Sequence, residues 1–402
     1  MIRRRVLAIL ITGFVLGFVI LLINALLIDP KAPSFIPRNG HIIPSNYLYL
    51  YYDFLSPCPF ESGKMWVSVV STNKGHTFLF DIDSQSILGE LVNASPVFFN
   101  HDQTKLLCSQ RTTVTATKNA VWRWVKECLT RIWNHSSHTF QDTETFWVVD
   151  LKRNSVTRLG RGYQWSGAGS SFRPSPGFRY GFNKPTGSFD VPEILICDIE
   201  NNTFRKDQVD GYPVGWWDVQ RILVKDKKND LVLYDVQTRT TSAFLSLREL
   251  QKSFVELGVT NPPGAANAFF MWDGSQNNFY LTEGNKRWSA EESYLIKIER
   301  PGRLILLDPH FKFEWSDHLD GTGTYYLYSG REPGQTNSAV YVRDLKAGKS
   351  REVIPPDPNR INDFSLPNFY GTDVIYCRSN LLWRVSLEGS QNRRLFPPQP
   401  VP

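Results

Sequence analysis

The sequence predicts an all-β chain of about seven repeated four-stranded units, a β-propeller, behind one N-terminal transmembrane helix and with two short helical insertions. Three observations carry that prediction. Aromatic residues make up 13% of the 402 residues, with 25 Pro and 27 Gly against 3 Met, a balance that favours strands and turns over helices. A strand, an Asp, a polar turn and a second strand recur along the chain. Residues 6–28 form an apolar run unlike any other segment.

In that run only Thr12 and Asn24 are clearly polar, and Arg3-Arg4-Arg5 precede it. As a helix it is roughly 35 Å long, enough to cross a hydrocarbon core of about 30 Å. A cleaved signal peptide needs a shorter apolar region, about 7 to 15 residues, and a small-x-small site. Ala25 is the best cleavage candidate, and Ile23 two positions upstream is not small. The segment therefore reads as an uncleaved anchor. The arginines put residues 1–5 in the cytoplasm and the body outside it, in the periplasm or at the cell exterior. Gly13 and Gly17 have G-x-x-x-G spacing, for which chance is the simpler account in a segment class rich in glycine. Residues 29–45 read as a linker, 46–397 as the propeller and 398–402 as a Pro-rich tail.

The body carries little that selects a ligand by charge. The net charge is +6; the first 30 residues hold three Arg and one Asp, which leaves the remainder at +4 and makes no case for nucleic acid. Of the five cysteines, Cys108, Cys197 and Cys377 fall in apolar strand-like runs and read as buried thiols. Cys58 lies in a Pro-flanked segment, and pairing of it or of Cys128 cannot be deduced from sequence.

The repeat supplies the architecture. Phe78-Leu79-Phe80-Asp81-Ile82-Asp83 has counterparts around Asp150, Asp198, Asp235 and Asp344, and two weaker copies at Leu295–Glu299 and Trp383–Leu387 lack the Asp. An Asp at a strand end can accept hydrogen bonds from turn N–H groups and so fix the hairpin's register. A second element, an aromatic, a polar turn and another strand, lies between hairpins. It appears as Phe99-Asn100-His101-Asp102-Gln103, as Phe172 to Phe182, as Trp216-Trp217-Asp218, as Trp272-Asp273-Gly274, as Trp315-Ser316-Asp317 and as Phe369-Tyr370-Gly371. Four strands at intervals of about 40 to 50 residues is the period of a β-propeller. The strands Tyr47–Tyr52 and Met65–Ser71 should share a blade with the first hairpin or the last, and strand pairing between the chain ends would close the ring.

The second element resembles the Phe-Ser-Pro-Asp-Gly-Lys segment of TolB-like, WD-repeat-like propellers, also found in the propellers of prolyl oligopeptidase relatives. The resemblance spans roughly Tyr47 to Phe396, with Asn100-His101-Asp102-Gln103 and Pro174-Ser175-Pro176-Gly177 as degenerate copies. It implies architecture and says little about activity, because one fold hosts many functions.

Two insertions interrupt the repeat. Residues 118–135 have Val121, Trp122, Val125, Cys128, Leu129, Ile132 and Trp133 along one helical face. We read this helix as packed on the propeller rim; its basic charge and Trp122, Trp124 and Trp133 also suit an interfacial membrane helix. Residues 246–258 offer Ser246 and Glu249 as a capping box and Gly258 as a stop.

The sequence holds no G-x-S-x-G elbow, P-loop, H-E-x-x-H or Ca²⁺-loop pattern, and no hydrolase segment follows the propeller. His135 and His138 sit at a helix end among loop residues and do not read as a metal site. No catalytic residue, cofactor or metal is therefore assigned. Trp165, Trp216, Trp217, Trp272 and Trp315 occupy related places in the repeat; they read as filling space between blades, with a stacking surface for a glycan or peptide as the alternative. Three function classes follow: a membrane-tethered protein-interaction or scaffold module first, a glycan- or peptide-binding ectodomain second, and third a channel-mouth enzyme such as a polysaccharide lyase. The last would need His101, His310 and His318 to converge.

Overall fold

The computed structural model describes residues 31–38, 49–53, 63–71, 74–111, 143–163, 172–183, 193–258, 268–272, 279–283, 294–299, 303–308, 318–320, 322–330, 337–356, 365–379 and 381–397. The apolar segment 6–28, the 118–135 insertion, Cys58, Cys128, His135, His138, His310 and the tail 398–402 lie outside them. Among the described residues no helix is long and apolar enough to cross a membrane.

Seven antiparallel sheets follow one another in chain order. Blade 1 contains β2 (Tyr49–Asp53), β3 (Lys64–Ser71), β4 (Lys74–Asp81) and β5 (Ser86–Val92), and β1 (Ser34–Pro37) adds a fifth strand beside β5. Blade 2 is β6 (Ser95–Phe99), β7 (Lys105–Arg111), β8 (Thr143–Asp150) and β9 (Ser155–Tyr163). Blade 3 is β10 (Arg173–Pro174), β11 (Tyr180–Asn183), β12 (Glu193–Asp198) and β13 (Thr203–Gln208). Blade 4 is β14 (Tyr212–Trp216), β15 (Arg221–Lys225), β16 (Leu231–Asp235) and β17 (Thr240–Leu245). Blade 5 is β18 (Ala268–Trp272), β19 (Phe279–Glu283), β20 (Leu295–Glu299) and β21 (Arg303–Asp308). Blade 6 is β22 (His318–Leu319), β23 (Tyr325–Gly330), β24 (Ala339–Asp344) and β25 (Lys349–Ile354). Blade 7 is β26 (Ser365–Tyr370), β27 (Asp373–Arg378), β28 (Leu381–Ser386) and β29 (Arg393–Phe396). Each blade is a meander, and the seven repeated hairpins are its third and fourth strands.

The blades stand face to face because strand alternation gives each one two apolar sides. On β7, Leu106 and Cys108 pack toward Trp66 of blade 1, while Leu107 between them packs toward Leu195 and Cys197 of blade 3. On β15, Ile222 and Val224 join blade 3 and Leu223 joins blade 5. Every junction has its own apolar cluster of this kind. Burying a Leu or Phe completely is worth roughly 1.5–3 kcal/mol, so the junctions hold the ring together. Glycines let rings approach the sheets. A Cβ at Gly181 would stand 2.7 Å from the Phe98 ring, and one at Gly160 2.7 Å from Phe204.

Blade 1 contains its two preceding strands and the first hairpin, so among the described residues no strand from one chain end completes a blade of the other. Blades 7 and 1 meet through side chains instead. Met65, Phe78 and Phe80 pack with Ile375, Leu382 and Phe396. Asp83 accepts a hydrogen bond from the Tyr370 hydroxyl at 2.7 Å and stands 3.5 Å from the Arg384 guanidinium.

The stretch read as a linker contains β1. Ser34 pairs with Val92 and Pro37 with Gly89. Phe35 fills the space above Gly89, where a Cβ would meet its ring at 2.1 Å, and lies edge-on to Trp66. Beyond the strand, Arg38 and His76 both bind the buried carboxylate of Glu90. The strand escaped the pattern because it is four residues long, ends in Pro and leaves three of its residues exposed.

The helix α1 (Leu247–Glu256) forms as its signals indicate. The Ser246 hydroxyl accepts the Glu249 N–H, the Glu249 side chain accepts the Ser246 N–H, and Gly258 ends it at φ +81°. Leu250 and Phe254 are buried in the junction between blades 4 and 5.

Candidate interaction surfaces of the propeller

The repeated Asp residues build the turns of one face. Asp81 accepts the N–H groups of Asp83 and Ser84, Asp198 those of Glu200 and Asn201, Asp235 those of Gln237 and Thr238, and Asp344 those of Lys346 and Ala347. Asp150 accepts the Arg153 N–H at 2.8 Å. Each turn finishes on a left-handed residue, Gln85, Asn154, Asn202, Arg239 or Gly348. Each of these carboxylates accepts backbone donors, and Asp198 also accepts from the side chains of Arg179 and Asn201.

The second repeated element supplies the other turns of the same face. Asn100 accepts the N–H groups of Thr104 and Lys105, Asp218 those of Gln220 and Arg221, and Asp320 those of Thr324 and Tyr325. The fifth copy, in blade 6, is thus anchored on Asp320, three residues after Asp317, because its inner strand is His318–Leu319. Burial raises the Asp218 carboxyl pKa, but Arg221 and the two turn N–H groups outweigh it and hold the group below the ordinary range. Polar bridges cross between blades at this level. The Asn100 amide reaches Glu200 at 2.8 Å, the Gln237 amide reaches the Tyr180 hydroxyl at 3.1 Å, and Arg351 pairs with Glu388 at 2.7 Å.

The two faces differ sharply in how much chain they carry. On the face just described, connections from β3 onward never exceed six residues; the segment 54–63 in blade 1 is longer. At the opposite ends of the strands lie 112–142, 164–172, 184–192, 246–267, 284–294, 309–317, 331–338 and 355–364. Strand direction alone sorts them, because four antiparallel strands per blade return every blade-to-blade crossing to one face.

The tryptophans named from the repeat do not form a common surface among the described residues. Trp216 is 1% exposed and lies against Phe182 and Tyr180 in the junction of blades 3 and 4. Trp217 is 6% exposed and lies against Phe244 in the next junction. Adjacent in sequence, they point to opposite sides of one blade, and both rings fill interblade space. Trp272 ends β18, and nothing is described of its side chain. Trp165 and Trp315 lie outside the described residues.

Of the three histidines a channel-mouth site would need, His310 lies outside the described residues and nothing is described of the His318 side chain. His101 is exposed on a tight turn of blade 2, and His318 belongs to the inner strand of blade 6, three junctions away round the ring. Among the described residues no three His, Cys, Asp or Glu side chains are grouped to hold a metal ion. Cys108, Cys197 and Cys377 are buried and not joined in disulfides. Burial pushes the Cys108 and Cys197 thiols far above their usual range, so both are unreactive core residues.

No protein-family model matches the chain, and no curated protein matches it in sequence. Solved structures do resemble it. The β-propeller domain of the Trilobed protease from Pyrococcus furiosus, described as having an open velcro topology, is 12% identical over 87% of this chain and 97% of that one, with a TM-score of 0.50. An oligogalacturonate lyase from Vibrio parahaemolyticus is 10% identical over 91% and 96%, with a TM-score of 0.51. TolB from Acinetobacter baumannii is 15% identical over 81% and 75%, with a TM-score of 0.36. Identities this low establish the fold alone, so the resemblance seen in the repeats is met at the level of architecture: the chain is a seven-bladed β-propeller whose seam is closed by side chains.

Proposed function

We propose that this protein is a membrane-anchored, extracytoplasmic interaction module whose partner docks on the face that carries the long connections. The distribution of chain between the two faces is the observation behind this reading. Seven blades form a rigid ring, and inserted chain accumulates where it does not disturb the junctions, which is where binding residues usually reside on a scaffold. The anchor rests on the length of the apolar segment 6–28 and the Arg3-Arg4-Arg5 flank. Photo-crosslinking in intact cells tests the docking face. A crosslinker at Lys228, on the connection-rich face, should trap one partner reproducibly, and one at Thr238, on the tight-turn face of the same blade, should not. The same partner trapped from both positions, or only from Thr238, would reject this face as the docking surface.

A further inference from the structure

The direction of β1 tells how the ring is held once it is anchored. β5 runs from the tight-turn face toward the connection-rich face, and β1 is antiparallel to it, with Ser34 beside Val92 and Pro37 beside Gly89. The chain therefore enters β1 from the connection-rich side. It does not enter from the rim. The Lys31 carbonyl accepts a 2.9 Å hydrogen bond from the Gln110 side chain, and Gln110 lies near the end of β7, the second strand of blade 2 counted from the axis. Gln110 shares its side of β7 with Leu106 and Cys108, which face blade 1, so between Lys31 and Ser34 the chain runs over the junction of blades 1 and 2 to the outer edge of blade 1.

The connection to the apolar segment is short. Only Asp29 and Pro30 separate Ile28 from Lys31, and three extended Cα–Cα steps reach at most about 11 Å. The fastening is firm on the propeller side: four paired residues, the Phe35 ring seated on Gly89 and Trp66, and the Arg38 link to buried Glu90. A tether this short, leaving on the connection-rich side over the junction of blades 1 and 2, brings that face down toward whatever surface holds residue 28.

From this we infer that the connection-rich face is turned to the lipid bilayer and lies against its headgroup region, with the tight-turn face pointing away. This inference rests on the anchor proposed above. It also narrows the partner: a molecule bound on that face must itself reside in the membrane or at its surface.

The test uses the full-length protein in liposomes, with Cys58→Ser and Cys128→Ser so that only introduced thiols label. Ser95, exposed at the start of β6 on the connection-rich side, and Ser84, exposed in the turn after β4 on the other side, are each replaced by Cys and given an environment-sensitive fluorophore. The seven residues of β5 separate the two levels by about 20 Å. Quenching by lipids spin-labelled in the headgroup should be several-fold stronger at position 95 than at position 84. Equal quenching, or stronger quenching at 84, overturns the orientation while leaving the anchor standing. Failure of the protein to float with the liposomes overturns the anchor and the orientation with it.

Discussion

Asp235 shows how much a single turn residue does. Its carboxylate accepts two backbone N–H groups at 2.8 and 2.9 Å, and the turn then needs a left-handed residue, supplied by Arg239 at φ +60°. Asp235→Ala should cost about 1 kcal/mol, read as a lower denaturation midpoint with an unchanged slope. Asp218 adds a pH signature. Its folded pKa lies below the ordinary 3.8, so its contribution is present at neutral pH and fades as the pH falls through the lower folded value. Asp218→Asn should therefore be less stable than the parent at pH 7, and melting curves taken at successively lower pH below the ordinary carboxyl value should bring the two together. The turn residues were legible in the sequence because a fixed geometry leaves a fixed composition. Whether Trp216 and Trp217 were exposed was not, since both sides of a propeller strand are apolar and a buried ring reads like a binding one.

At the scale of elements, the strap β1 and the helix α1 differ in how plainly the sequence announces them. Ser246, Glu249 and Gly258 mark the two ends of α1, and Leu250 and Phe254 mark its buried face, so both ends and the packing side could be read in advance. Nothing local marks β1, whose stability comes from Phe35, Gly89 and Glu90, brought together across more than fifty residues of chain. Gly89→Ala should push Phe35 off its seat and cost roughly 1–3 kcal/mol, as overpacking does. Limited proteolysis should then cut within residues 31–38 long before the blades are attacked. The outer edges show a related device. Arg158, Lys206, Arg303, Arg351 and Arg393 lie on the outermost strands of blades 2, 3, 5, 6 and 7, where charge discourages edge-to-edge pairing with another molecule. The outer strands of blades 1 and 4 have no basic residue, and β1 covers the first of them.

For the whole molecule, the junctions dictate cooperativity. Each blade buries one set of side chains against its predecessor and the alternate set against its successor, so a detached half would expose a full apolar face at each cut. Circular dichroism and tryptophan fluorescence should report one coincident thermal transition, and a fragment spanning residues 46–190 should not fold. A stable fragment of that kind would show that the ring is two domains. The seam should be softer than the other junctions at its polar margin. Asp83→Ala removes the partner of Tyr370 and a neighbour of Arg384, and hydrogen exchange should quicken in β3 and β27 with a midpoint change of no more than about 1 kcal/mol.

Because the seam is sealed by side chains and, among the described residues, no blade borrows a strand from the far end of the chain, each blade is covalently complete. Each sheet is therefore drawn from one contiguous stretch of chain, while its two apolar faces are covered only when the ring closes. For the same reason the count of seven is not locked by an interlaced end. A duplicated or lost blade would leave every remaining sheet whole, and the chain's two ends could be moved to another blade boundary by circular permutation with no hydrogen-bonded sheet cut.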